Sequence, residues 1–118
     1  MKFLIIIKSP PVSQVVHEIA VSTISELLKK DSVEISGIFF TDCSAAIASK
    51  GITQISSLET VQSSYLNLSK EKSIPMYVCG RAYMELGLDK ASIQDGFNLS
   101  GNMELSMMMC SAEKIMEF

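Results

Sequence analysis

The order of patterns along the chain predicts an α/β fold, a three-layer sandwich in which a mostly parallel sheet of about five strands is covered by helices on both faces. Three observations predict it. The chain begins with an unbroken apolar run, Phe3-Leu4-Ile5-Ile6-Ile7. Strand-like and helix-like patterns then alternate through three successive units, and each change of period falls at a proline, serine or glycine. Such alternation implies right-handed crossovers between neighbouring parallel strands.

The first run is β-branched and shows no in/out alternation, so both of its faces are covered and it belongs at the centre of the sheet. Ser9-Pro10-Pro11 ends it, because proline has no N-H to give to a ladder. The loop lacks the glycine spacing of a phosphate cradle, which argues against a nucleotide-binding or flavodoxin-like module. From Ser13, in N-cap position, to Lys30, the apolar residues Val15, Val16, Ile19, Ala20, Ile24, Leu27 and Leu28 form a helical stripe. His17 lies off that stripe beside Glu18 and is expected in solvent.

Val33 to Phe40 alternates and then becomes wholly apolar, as a strand does on entering a core. Ala45 to Ala48 reads as a short helix, and the polar Lys50 to Leu58 segment as a mobile loop. Leu58 to Lys72 is an amphipathic helix, and Ile74 to Val78 a buried strand entered at Pro75. Arg81 to Leu86 tolerates helix, with Gly87 as its stop. Leu88 to Gly96 is a connection with room for one helical turn. Ser100 is an N-cap candidate for a helix from Asn102 to Cys110. That helix carries Met103, Leu105, Met107, Met108 and Met109, more apolar than one stripe requires, so it belongs either in a core or against a partner subunit. Glu113 to Phe118 is a short last strand.

With 118 residues, 47% of them hydrophobic and 19% charged, the chain has the size and composition of a single globular domain spanning residues 1–118. A net charge of −3 and a single histidine leave no basic stripe, which disfavours direct nucleic-acid binding. The opening apolar run is too short for a signal peptide or a membrane span, so no membrane association and a cytoplasmic location are expected. The three cysteines, Cys43, Cys79 and Cys110, are an odd number without metal-ligand spacing. They form neither a disulfide framework nor a zinc pattern and suggest thiol chemistry in a reducing compartment.

Cys79 stands where a strand gives way to a helix, at the positive end of a helix dipole that favours a negative sulfur. Gly80 and Arg81 follow within the same turn, and Arg81 acts in the same direction. Buried free cysteine is also common as a small hydrophobe, and position alone does not choose between the two readings. Parallel strands would bring the loops after Lys8, Phe40 and Val78 to one sheet edge, where ligands gather in such folds. Cys43 is therefore a possible second, resolving thiol.

The segments Met1-Lys2-Phe3, Gly37-Ile38-Phe39-Phe40, Met76-Tyr77-Val78-Cys79, Gly96-Phe97-Asn98-Leu99-Ser100-Gly101 and Lys114-Ile115-Met116-Glu117-Phe118 occur in an order and spacing that carry a resemblance. Nearly end to end, the chain resembles the DsrE/DsrF/TusD-like family of small sulfur-relay proteins, most closely its TusD/DsrE branch. The resemblance implies an α/β sandwich and a sulfurtransferase that accepts sulfane sulfur as a persulfide on Cys79 and passes it to a cysteine of a partner. It also implies homologous DsrF/TusC-like and DsrH/TusB-like subunits in a hexamer, a TusA-like sulfur donor and a TusE/DsrC-like acceptor. The pathway it implies is either wobble 2-thiouridine synthesis on tRNA or sulfur oxidation. The shorter, serine-rich Lys50 to Leu58 segment, Cys43 and Cys110 depart from the family pattern. A non-catalytic binding or scaffold subunit, with Cys79 merely buried, is the alternative.

Overall fold

The computed structural model describes residues 1–118. Five strands form one sheet: β1 (Lys2–Ile7), β2 (Glu34–Phe40), β3 (Met76–Cys79), β4 (Phe97–Ser100) and β5 (Lys114–Glu117), in the order β4-β3-β2-β1-β5. Every neighbouring pair is parallel. The apolar run of β1 lies between β2 and β5, and Leu4 to Ile7 are buried as the unbroken pattern requires.

Four α-helices connect the strands: α1 (Gln14–Leu27), α2 (Ser56–Lys72), α3 (Gly80–Glu85) and α4 (Asn102–Ser111). The first three crossovers each move one strand in the same direction across the sheet, whereas β4 to β5 returns across its whole width. Right-handed connection therefore places α1, α2 and α3 on one face and α4 alone on the other. Side-chain packing agrees. Phe40 meets Tyr65 of α2 edge-on at 4.9 Å and Phe97 at 5.5 Å on the first face. On the second, a Cβ added to Gly37 would lie 3.0 Å from the methyl of Met108 and 2.9 Å from the Tyr77 ring. Gly37 is what allows α4 to approach the sheet there.

Several expectations are corrected. Phe97–Ser100, read only as the approach to a helix, is a strand paired with β3; an edge strand of four residues shows too little alternation to declare itself. The cap of α4 is Gly101, not Ser100, because Ser100 is held in that ladder. Ser13 stands at the α1 cap without a side-chain hydrogen bond. Lys50 to Leu58 is folded rather than a bare loop: a 3-10 turn spans Lys50–Gln54 and α2 already begins at Ser56. Gln62 secures this region from α2, its Nε2 donating to the carbonyls of Ile47 at 2.7 Å and Ser49 at 2.8 Å.

The buried side of α1 is His17, Ala20 and Ile24, while Val15 and Ile19 are exposed, so the helix is rotated from the face its aliphatic residues suggest. The methionine-rich α4 has no buried residue, which excludes the core reading; Leu105 and Met108 pack inward while Met103 and Met107 face solvent. Gly87, at φ +80, stops α3 as its left-handed conformation predicts.

Candidate functional site

Because all strands run the same way, the loops after β1, β2, β3 and β4 emerge at one edge of the sheet, the usual place for chemistry in open α/β folds. Cys79 is at that edge. It is the last residue of β3 and the N-cap of α3, and its register partner on β4 is Ser100. Its strand alternation with Tyr77 places the side chain on the α4 face, where Tyr77 stacks on Phe39.

Cys79 is only 4% exposed, so the thiol is recessed at the rim and not open to solvent as its loop-edge position suggests. Its own helix has six residues, too few for a full macrodipole. Arg81 is turned away: its side chain is 80% exposed and its Nε donates to Glu85 at 3.0 Å, so its charge is shared with a carboxylate on the outer side of α3. Gly80 is packed under β4, where an added Cβ would stand 3.4 Å from Leu99, 3.6 Å from the Lys90 side chain and 3.6 Å from the Ser100 carbonyl. Lys90 was not legible as a neighbour from the sequence, since a 3-10 turn at Lys90–Ser92 folds it back over α3. The hydroxyls of Tyr83 and Ser92 join that turn to α3 at 2.6 Å.

Cys43 lies in the 3-10 segment Asp42–Ala48, which continues from β2, the strand next to β3, and it is exposed. The segment leaves β2 through Asp42 at φ 52, a left-handed conformation that aspartate tolerates better than most residues. Ser44 ties it down, its hydroxyl shared between the carbonyls of Ile7 at 2.6 Å and Thr41 at 2.7 Å. Cys43 and Cys79 thus share the edge from adjacent strands. Cys110 does not: α4 runs back from that edge to the start of β5, and Cys110 is in its last turn.

His17 is the residue that sequence reasoning misplaced. It is 2% exposed, with Nε2 2.9 Å from the Pro10 carbonyl and Nδ1 2.8 Å from the Tyr65 hydroxyl. A carbonyl can only accept, so Nε2 carries the proton and Nδ1 accepts from Tyr65. Burial holds the imidazole below its ordinary value of 6.5 and pushes the Tyr65 phenol up. The neutral ring therefore pins the proline loop after β1 onto α2. A groove of about 290 Å3 opens between α1 and α2 above it, lined by Gln14, Glu18, Ser57, Thr60 and Ser64, away from Cys79. Lys8, beyond β1, is paired with Glu117 at 2.6 Å and its ammonium is raised above its usual range by that hydrogen bond and charge.

No three His, Cys, Asp or Glu side chains converge as a metal site would require, and no helix is long and apolar enough to cross a membrane. The edge thus holds one recessed thiol, Cys79, and one exposed thiol, Cys43.

A family model described as DsrE/DsrF-like matches residues 1–118. Among solved structures, the chain is similar to the YchN protein of E. coli, with 15% identity, a TM-score of 0.74, and coverage of 100% of this chain and 99% of that one. It is also similar to MTH1491 of Methanobacterium thermoautotrophicum, with 13% identity, a TM-score of 0.69, and coverage of 99% and 98%. At these identities the likeness carries the fold alone. No curated protein matches the chain.

Proposed function

Because this chain belongs to the DsrE/DsrF-like family, we propose that it is a sulfurtransferase subunit of a sulfur relay, with Cys79 as the persulfide carrier. The observation that supports this most is the position of Cys79, at the end of β3 and the start of α3 on the edge where the parallel strands terminate. Loading is a displacement at sulfur. The Cys79 thiolate attacks the outer sulfur of a protonated donor persulfide, R-S-SH, forming Cys79-S-SH and releasing the donor as the thiolate R-S⁻. In delivery, an acceptor thiolate attacks the outer sulfur of that persulfide, and Cys79 leaves as a thiolate. Neither step needs a metal, an oxidant or an organic cofactor.

A sulfur only 4% exposed is suited to transfer within a docked complex, where the rim opens to a partner and the persulfide is otherwise kept from stray thiols. The partners in this reading are homologous DsrF/TusC-like and DsrH/TusB-like subunits in a hexamer, a TusA-like donor and a TusE/DsrC-like acceptor. Cytoplasmic tRNA thiolation and sulfur oxidation are its two settings. The outward methionines of α4, Met103 at 77% and Met107 at 67% exposure, are in keeping with a subunit contact.

Incubation with a sulfane-sulfur donor followed by intact mass tests the proposal. The expected result is a gain of about 32 Da, one sulfur, that reduction by thiol removes and Cys79→Ser abolishes. An adduct that persists in Cys79→Ser would transfer the role to Cys43 or Cys110. The same 4% exposure favours the second reading, a non-catalytic scaffold subunit, and absence of any adduct, alone or with co-purified partners, would establish it.

A further inference from the structure

The groove between α1 and α2 is a cavity of about 290 Å3 that sulfur transfer at the sheet edge does not use. That is close to the lower size of ordinary ligand pockets, roughly 300 Å3. What it can hold follows from the state of each hydrogen-bonding group around it. Gln14 of α1 reaches across to α2, its Nε2 donating to the Ser57 carbonyl at 3.3 Å, so its carboxamide oxygen is the half left for a ligand. The Thr60 hydroxyl donates to the Ser56 carbonyl at 3.0 Å, and the Ser64 hydroxyl to the Thr60 carbonyl at 2.9 Å. Both hydrogens are thus used within α2, and each oxygen has only lone pairs left. Glu18 lines the groove from α1, one helical turn from Gln14, and takes part in none of the protein's ion pairs. His17 offers nothing to a ligand, because Pro10 and Tyr65 engage both of its ring nitrogens.

The lining is therefore rich in acceptors and carries one carboxylate, with no lysine or arginine to oppose it. An anion would meet Glu18 and find only the Ser22 and Ser57 hydroxyls as free donors. An ammonium group is the complement of such a lining, since it has three donors and no acceptor. Val21 and Val61, three and four residues along the same two helix faces from Glu18 and Ser57, add an apolar patch on which methylene groups can rest. We propose that this groove binds a small aliphatic amine in its ammonium form, the charged end beside Glu18 and the carbon chain over Val21 and Val61. This site is separate from Cys79 and does not depend on its role.

The test is a titration of the full chain with 1,4-diaminobutane at pH 7.5 and low salt, followed by two-dimensional amide NMR. The expected result is a saturable set of shifts confined to Gln14–Ser22 and Ser57–Ser64, with a Kd of about 1 mM or tighter. 1,4-Butanediol, of the same length and without charge, should produce no saturable shift. Glu18 is exposed on its helix, so its substitutions leave the fold intact. Glu18→Gln raises Kd by about fivefold. Glu18→Lys, which places a resident ammonium in the groove, abolishes binding. Glu34→Gln, which removes the same charge from the exposed start of β2, stays within about twofold of the wild type. Shifts spread over acidic residues at large, or equal Kd values for Glu18→Gln and Glu34→Gln, would reduce the effect to a diffuse counterion atmosphere and overturn the site. An equal response to the diol, or no saturable response to the diamine, would overturn it as well.

Discussion

Replacing Gln62 by methionine would test how the site edge is held. Gln62 is 1% exposed, and its amide nitrogen spans the carbonyls of Ile47 and Ser49, at the junction of the two 3-10 turns. Methionine has nearly the same length and volume, so Gln62→Met deletes both of these hydrogen bonds, and the long one of 3.5 Å that its Oε1 accepts from Gln94, without opening a cavity. Ser49 keeps a backbone donor, the Ile52 amide at 3.3 Å, so the larger penalty falls on the Ile47 carbonyl. A buried acceptor stripped of its partner costs about 1–3 kcal/mol, and loss of the second bond adds about 1 kcal/mol. Apolar gain from the thioether offsets part of this, leaving about 2–3 kcal/mol of destabilisation. For a chain of 118 residues that corresponds to a fall in Tm of about 6–12 °C. Urea unfolding followed by circular dichroism would measure it. The segment carrying Cys43 packs against α3, so Cys79 should also alkylate faster in the variant. A shift in unfolding free energy below about 0.5 kcal/mol, within the scatter of neutral substitutions, would refute the claim that Gln62 anchors this edge.

Two further outcomes follow from particular contacts. The folded His17 has a pKa below 6.5, so between the two values the unfolded chain binds more protons, and unfolding free energy falls as pH drops through 6.5. Urea midpoints at pH 7.5 and 5.5 should differ by more in the wild type than in His17→Gln; equal differences would show that the ring is not buried neutral. Gly37→Ala forces a methyl to within 2.9 Å of the Tyr77 ring and 3.0 Å of Met108, and overpacking of that kind costs about 1–3 kcal/mol. Chemical denaturation showing no loss would mean that α4 does not seat on Gly37 as described.

Local pattern was enough for the elements whose signal is local. The unbroken Leu4–Ile7 run, the apolar end of β2 and the turn from Val78 through Cys79 into α3 each declare their conformation within a few residues, and their alternation forces parallel pairing. The place of Cys79 at a strand end was legible for the same reason. Tertiary structure alone decided the rest, because it joins residues whose separation in sequence carries no pattern. His17 is drawn inward by Tyr65, 48 positions away, against the rule that histidine follows its polar neighbours outward. The Lys90 side chain reaches Gly80 through a folded connection, and Arg81 turns to Glu85 instead of the sulfur. Ser100 becomes the neighbour of Cys79 only through the register of β3 on β4, and register depends on how whole faces pack, which no short stretch of residues encodes.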